Sequence, residues 1–204
     1  MSKKIKIMTI SDSPFAPSGV GTQTRYMIDA LLRTGKFSVF SIAGAIRHDD
    51  YRLIQTEEYG EDWVTQPIDG YGSEEVIRSL VMNHKPDILW FMTDPRFYEW
   101  LWNIDSEIRK NVPMVYYHVW DNYPYPTFNR AWYLSNDLVA TISKVTDDIV
   151  KTVAPEVDSK YIPHAVDSEV FSKREVPKQG HMKDKFVFFW NNRNARRKQS
   201  GTLV

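Results

Sequence analysis

Short runs rich in β-branched residues alternate along this chain with segments whose apolar residues recur at helical spacing. Residues 4–10 (KIKIMTI) read as a first strand, and 22–33 as a helix with Met27, Ile28, Leu31 and Leu32 on one face, closed near Gly35. Strands follow at 37–43 (FSVFSIA), 63–67, 88–92 (ILWFM), 112–119 (VPMVYYHV), 138–142 (LVATI) and 160–162. Between them, a helix begins at Ser73, whose side chain suits an N-cap, with Glu74 and Glu75 in its first turn and Val76, Ile77, Leu80 and Val81 inward. An aromatic-rich helix is predicted within 95–109, and another over 143–153 with Val145, Ile149, Val150 and Val153 inward.

Parallel strands need crossover connections, and helices that cross over must lie on the faces of the sheet. The alternation therefore predicts an α/β fold: a Rossmann-like parallel sheet with helices on both faces. Ligands of such sheets bind beyond the carboxyl ends of the strands. The loops at 11–21, 93–97, 118–127 and 163–168 should share that edge.

With 204 residues there is room for one good-sized domain and not for two. We read 1–171 as that domain, 172–185 (SKREVPKQGHMKDK) as a polar linker, and 186–204 as the first strand and loop of a second domain. The strand in question is 186–190 (FVFFW). A lone strand needs a sheet to pair with, so the sequence reads as a domain begun and not finished.

Composition removes several classes. Lys plus Arg equals Asp plus Glu, at 26 each, so general attraction to nucleic acid or anionic membrane is not expected. Cysteine is absent, which excludes disulfides, thiolate metal sites and a cysteine nucleophile and suits a cytosolic protein. No apolar run is long enough to span a membrane, and the start of the chain is not a signal peptide. The five histidines are scattered, with no pair at i, i+4, so no metal is expected.

Candidate chemistry lies on the loops. Ser18, Gly19 and Gly21 stand where the first loop enters a helix, a place that suits a phosphate or a hydroxylated substrate, or equally a plain tight turn. The loop does not complete the dinucleotide fingerprint, because Thr24 occupies the third glycine position, and no acidic residue closes the second strand. His118 ends a strand and is followed by Asp121 and Asn122; an imidazole there either bonds a sugar hydroxyl and handles a proton, or caps and packs. Asp94, on the loop after 88–92, joins the candidate substrate-binding residues. Arg193, Arg196, Arg197 and Lys198 follow the last strand, and cations there suit a diphosphate or form a solvated helix start.

In order along the chain, four landmarks resemble the GT-B glycosyltransferases of the retaining type often called family 4. They are S-G-V-G before the first helix, the strand 115–121 with His118, the segments Ile142-Ser143-Lys144 and Ile162-Pro163-His164-Ala165-Val166-Asp167 with Phe171, and Asn192-Arg193 with Lys198 five residues on. His164 and Ala165 stand where that family's junction has Asn and Gly, and Asn192 where it has Gly. The resemblance covers about half of such an enzyme. It implies a nucleotide-sugar donor, an acceptor on the N-terminal domain and no metal or other cofactor. His118 would contact the transferred sugar, and Arg193 and Lys198 would hold the donor diphosphate. It also implies a truncated form lacking full activity alone. The aromatic run 120–128 (WDNYPYPTF) is expected to shape the acceptor cleft. The alternative is a non-catalytic carbohydrate-binding or assembly module that pairs with itself or a partner chain through the 186–190 strand. A nicotinamide-dependent oxidoreductase fits less well, given the incomplete glycine fingerprint.

Overall fold

A computed structural model describes residues 3–173, 177–192 and 196–202. The chain divides into two units, Met1–Ala165 and Val166–Val204. The first carries an eight-stranded sheet and six α-helices: β1 (Ile5–Asp12), α1 (Gly19–Arg33), β2 (Phe37–Gly44), β3 (Ile54–Gln55), β4 (Trp63–Pro67), α2 (Glu74–His84), β5 (Ile88–Thr93), α3 (Glu99–Trp102), α4 (Asp105–Ile108), β6 (Met114–His118), α5 (Arg130–Leu134), β7 (Leu138–Thr141), α6 (Lys144–Val153) and β8 (Ser159–Tyr161). The strand order is β3-β4-β2-β1-β5-β6-β7-β8. Every pairing is parallel except that of β3 with β4. The order reverses at β1, where β2 lies on one side and β5 on the other. This is the doubly wound α/β architecture the sequence predicts.

Side chains alternate across the sheet with the strand period of two. Met8, Ile10, Leu89, Phe91, Met114 and Tyr116 face a large core with Ile77 of α2, Leu101 and Trp102 of α3, Ile108 of α4, Tyr133 of α5 and Ile149 of α6. Ile7, Val39, Trp90, Met92 and Tyr117 face the other way, where α1 buries Ile28 and Leu32 against them. Each large apolar side chain fully buried this way stabilises the fold by about 1.5–3 kcal/mol.

Caps set the helix starts. Ser18, Ser73 and Ser143 each accept a backbone N–H from the first turn of the helix that follows. Past the end of α1, Gly35 takes φ +70, which a side chain would resist.

Four expectations need correcting. The aromatic segment 95–109 is not one helix: a single 3₁₀ turn at Pro95–Phe97 leads into α3 and α4, which break at Asn103 and Ile104. The backbone leaves helical geometry at Tyr98 and at Ile104, where φ is −116 in each case, and both side chains are buried. Tyr98 donates to the carbonyls of Ile10 and Met92, and the Trp102 indole donates to Asn136. Val145 is half exposed instead of inward, because the buried stripe of α6 runs through Ile149, Val150 and Val153. Val76 likewise stays exposed on α2, where Ile77 is the buried residue. Finally, residues 186–190 form no strand. They pair with no strand among the described residues, and a strand without a partner leaves its backbone groups unsatisfied.

In the second unit the described elements are single 3₁₀ turns at Gly180–Met182, Arg196–Lys198 and Ser200–Thr202. Among the described residues no helix is long and apolar enough to cross a membrane.

Candidate functional site at the carboxyl edge of the sheet

Strand register lines up the residues of the ligand edge. Asp12 pairs with Gly44, and across the other half of the sheet Thr93, His118, Thr141 and Tyr161 stand in one row. The order reverses at β1, between the loops after β1 and β5, the position where sheets of this kind take ligands.

The first loop is closed on itself. Ser18 Oγ donates to Asp12 Oδ2 at 2.6 Å and accepts the Gly21 N–H at 2.9 Å, so both functions of the hydroxyl are used. Gly21 is needed for packing: a Cβ there would lie 2.4 Å from the Ser13 carbonyl oxygen. Around Gly19 there is open space, and it is exposed at the start of α1. Asp12 also accepts the Tyr71 hydroxyl at 2.7 Å, which joins this loop to the turn after β4. Burial and the Asp12 bond push the Tyr71 phenol well above its usual range, so it stays a donor.

Asp94 caps the turn after β5. It accepts the Arg96 backbone N–H and a two-pronged guanidinium contact from the same residue. Burial acts to raise its pKa, but the Arg96 bonds outweigh burial and hold the carboxyl below its ordinary value.

His118 is fully buried. Asn129 Nδ2 donates to the Tyr133 hydroxyl at 3.2 Å, Tyr133 stands 2.7 Å from His118 Nε2, His118 Nδ1 stands 3.1 Å from the Tyr116 hydroxyl, and Tyr116 donates to the Thr93 carbonyl at 2.7 Å. The Tyr116 end of this series fixes its direction: Tyr116 spends its proton on Thr93, so it accepts from Nδ1–H, and because burial opposes a second proton on the ring, Nε2 accepts from Tyr133. The ring is thereby held neutral with its proton on Nδ1. Burial pushes its pKa down to about 3, against a small opposing pull from Asp94. In this arrangement His118 anchors the end of β6, with both ring nitrogens taken up by tyrosine hydroxyls.

Asp121 and Asn122 are exposed on the loop after β6. Of the aromatic run behind them, Tyr123 and Phe128 are exposed, and Trp120 packs toward His118 and Phe128. Within the first unit, the segment 162–165 is tied back by three hydrogen bonds. Tyr117 donates to the Ile162 carbonyl at 2.7 Å, and the Gln23 amide both donates to the Ala165 carbonyl and accepts the Ala165 N–H. Lys198 lies in the 196–198 turn of the second unit. Arg193 falls outside the described residues.

An open cleft of about 850 Å³ lies over the carboxyl ends of β2, β4 and β5. Ala45, Arg47, Tyr51, Asp69, Tyr71, Phe97 and Trp100 are among its lining. Residues 120–128, expected to shape a cleft, do not line this one. Two of its lining residues bond to the loops singled out in the sequence: the Tyr71 hydroxyl to Asp12, and the Phe97 N–H to the Asp94 carbonyl at 3.1 Å. The lining residues come from the aperiodic stretch 44–72 and from the broken aromatic segment, where no regular pattern marks them; the triplet Gly70-Tyr71-Gly72 is the one local signal of a tight turn there. The close approach beneath the cleft is real: a Cβ on Gly44 would sit 1.9 Å from the Gly70 carbonyl oxygen. Among the described residues no group of three or more His, Asp or Glu side chains gathers as a metal site would require.

A scan against models of known protein families finds no match for the chain, and a search of curated proteins finds none either.

Proposed function

We propose that this chain is the acceptor side of a nucleotide-sugar-dependent, retaining glycosyltransferase of the GT-B type, working without a metal. The observation that carries the reading is the convergence of three landmarks. The S-G-V-G loop, the end of β6 at His118 and the segment 162–165 lie at the carboxyl edge of one doubly wound sheet. Arg193 and Lys198 would neutralise the charge that develops on the departing diphosphate. His118 would hold the floor of the site as a neutral anchor; contact with a transferred sugar requires Tyr133 to give up its bond to Nε2. A cytosolic location fits a chain without cysteine.

The test is release of nucleoside diphosphate by the full product of the native gene from a panel of UDP-, GDP-, ADP- and dTDP-linked hexoses. We expect one donor to be consumed and Arg193→Ala or Lys198→Ala to reduce its consumption at least tenfold. If no donor is consumed with cell extract supplied as the acceptor source, the reading fails.

One observation favours the assembly alternative. Phe186, Phe188 and Phe189 are 81%, 86% and 84% exposed, an apolar run that a partner sheet would cover. Sedimentation that gives a strict monomer at every concentration removes that alternative.

A further inference from the structure

The cleft over β2, β4 and β5 has a built aromatic lining. Phe97 is 50% exposed and Tyr51 44%, so apolar ring surface faces the opening. The rings are also held. The Trp100 indole donates to the Phe97 carbonyl at 3.0 Å, and Gly72 leaves only contact distance between backbone and ring, since a Cβ there would meet the indole at 3.5 Å. Tyr71 lies 4.9 Å from the Phe97 ring, with its own hydroxyl tied to Asp12.

Two charged groups share the lining. Asp69 accepts the Tyr51 hydroxyl at 2.5 Å through Oδ1, and its Oδ2 takes no hydrogen bond among the described residues. Arg47 is exposed and forms neither an ion pair nor a hydrogen bond with a described residue. Five guanidinium donors and a carboxylate acceptor are thus left beside a fixed aromatic surface.

Each part answers a different part of a sugar. The C–H face of a pyranose is apolar and slightly positive and stacks on an aromatic face, whose quadrupole is negative. Its hydroxyls donate to carboxylates and accept from guanidinium groups, and charged partners make the stronger bonds. A lipid chain would leave both charges unused, and an isolated anion would leave the rings unused.

We infer that this cleft binds a saccharide, with its ring on Trp100 and Phe97 and its hydroxyls on Asp69 and Arg47. Naming that saccharide as the acceptor rests on the glycosyltransferase reading; the binding itself does not.

Saturation-transfer NMR on the whole chain tests it, using glucose, galactose, mannose, N-acetylglucosamine, maltose, cellobiose and lactose, with adenosine and cytidine as the comparison. At least one sugar should give signal from the protons of one ring face. Trp100→Ala should abolish that signal, and Arg47→Ala and Asp69→Asn should each weaken binding about tenfold. Trp100 touches the core, whereas Arg47 and Asp69 are exposed, so the latter two variants report on the cleft even if the first unfolds. The inference is overturned if no sugar binds, if only the nucleosides bind, or if binding is unchanged in both Arg47→Ala and Asp69→Asn. Donor consumption is measured separately. Sugar binding without it removes the glycosyltransferase reading alone, and donor consumption with no sugar bound removes the cleft alone.

Discussion

Tyr133 donates its phenolic proton to Nε2 of His118 across 2.7 Å, in the interior of the domain. This bond makes the imidazole an acceptor on the side where a general base would have to take a proton. Nitrogen-15 NMR should therefore find His118 neutral, protonated on Nδ1, at pH 7. Tyr133→Phe removes the donor and also leaves the Asn129 amide short of a partner. We expect a loss of about 1–3 kcal/mol in urea unfolding, with the Nδ1–H tautomer signature weakened.

Acid should unfold this domain in two stages. An unfolded histidine takes up a proton below about pH 6.5, while His118 in the fold resists it until about pH 3. The unfolded state thus binds more protons between those values, and stability falls as pH falls through that window, by up to about 1.4 kcal/mol per pH unit for one such group. Above it the contribution is flat. His84 and His164 are shifted the same way by burial and add to the slope. A second stage follows at lower pH. Burial pushes the Asp137 carboxyl up, but the Arg109 guanidinium and the Met114 N–H outweigh burial and hold it below its ordinary range, so its contribution is present at neutral pH and lost as it protonates. Unfolding followed by circular dichroism from pH 7.5 down to about 1.5 checks this; a His118→Gln variant should show a shallower first stage.

The two glycines that frame the first helix turn should respond differently. Gly21→Ala drives a methyl toward the Ser13 carbonyl and should destabilise by more than about 2 kcal/mol, whereas Gly19→Ala has open space and should be neutral or stabilising by up to about 1 kcal/mol. Gly44→Ala, against the Gly70 carbonyl, should be at least as severe as Gly21→Ala. Thermal melts of the three variants decide it.

Helix α6 offers a test of its buried stripe. Val150 is fully buried and Val145 half exposed. Val150→Ala should lower stability by about 2 kcal/mol, and Val145→Ala should change it by less than about 0.5 kcal/mol. Equal losses would mean that the helix packs with a different face inward.

The Tyr71 hydroxyl links the cleft to the first loop through Asp12. Tyr71→Phe keeps the ring and deletes this bond to a carboxylate, so a loss of about 1–2 kcal/mol is expected. Because the ring remains, sugar binding in the cleft should fall less than in Trp100→Ala.

Much of the fold was legible because it depends on near neighbours in the chain. The apolar runs at 4–10, 37–43, 88–92 and 138–142 became strands, and Ser73 became a cap, since propensity and capping act over a few residues. The candidate site was legible only as an edge. Residues 11–21, 93–97 and 118–122 follow strand ends, and parallel pairing brings such ends together whatever the side chains do. The short β3 and α5 carry too few residues to show a period.

From the sequence alone came the order of the longer strands and helices, the parallel body of the sheet, and hence the edge at which a ligand would bind, because the alternation of periods admits few other layered arrangements. Only the tertiary structure decided what those loops do. It closed Ser18 onto Asp12, buried His118 between two tyrosines, and brought Arg47, Asp69 and Trp100 to one cleft from three separate segments. It also left 186–190 unpaired. Burial and hydrogen-bond partners are set by what lies across space, and no local pattern in the chain carries that information.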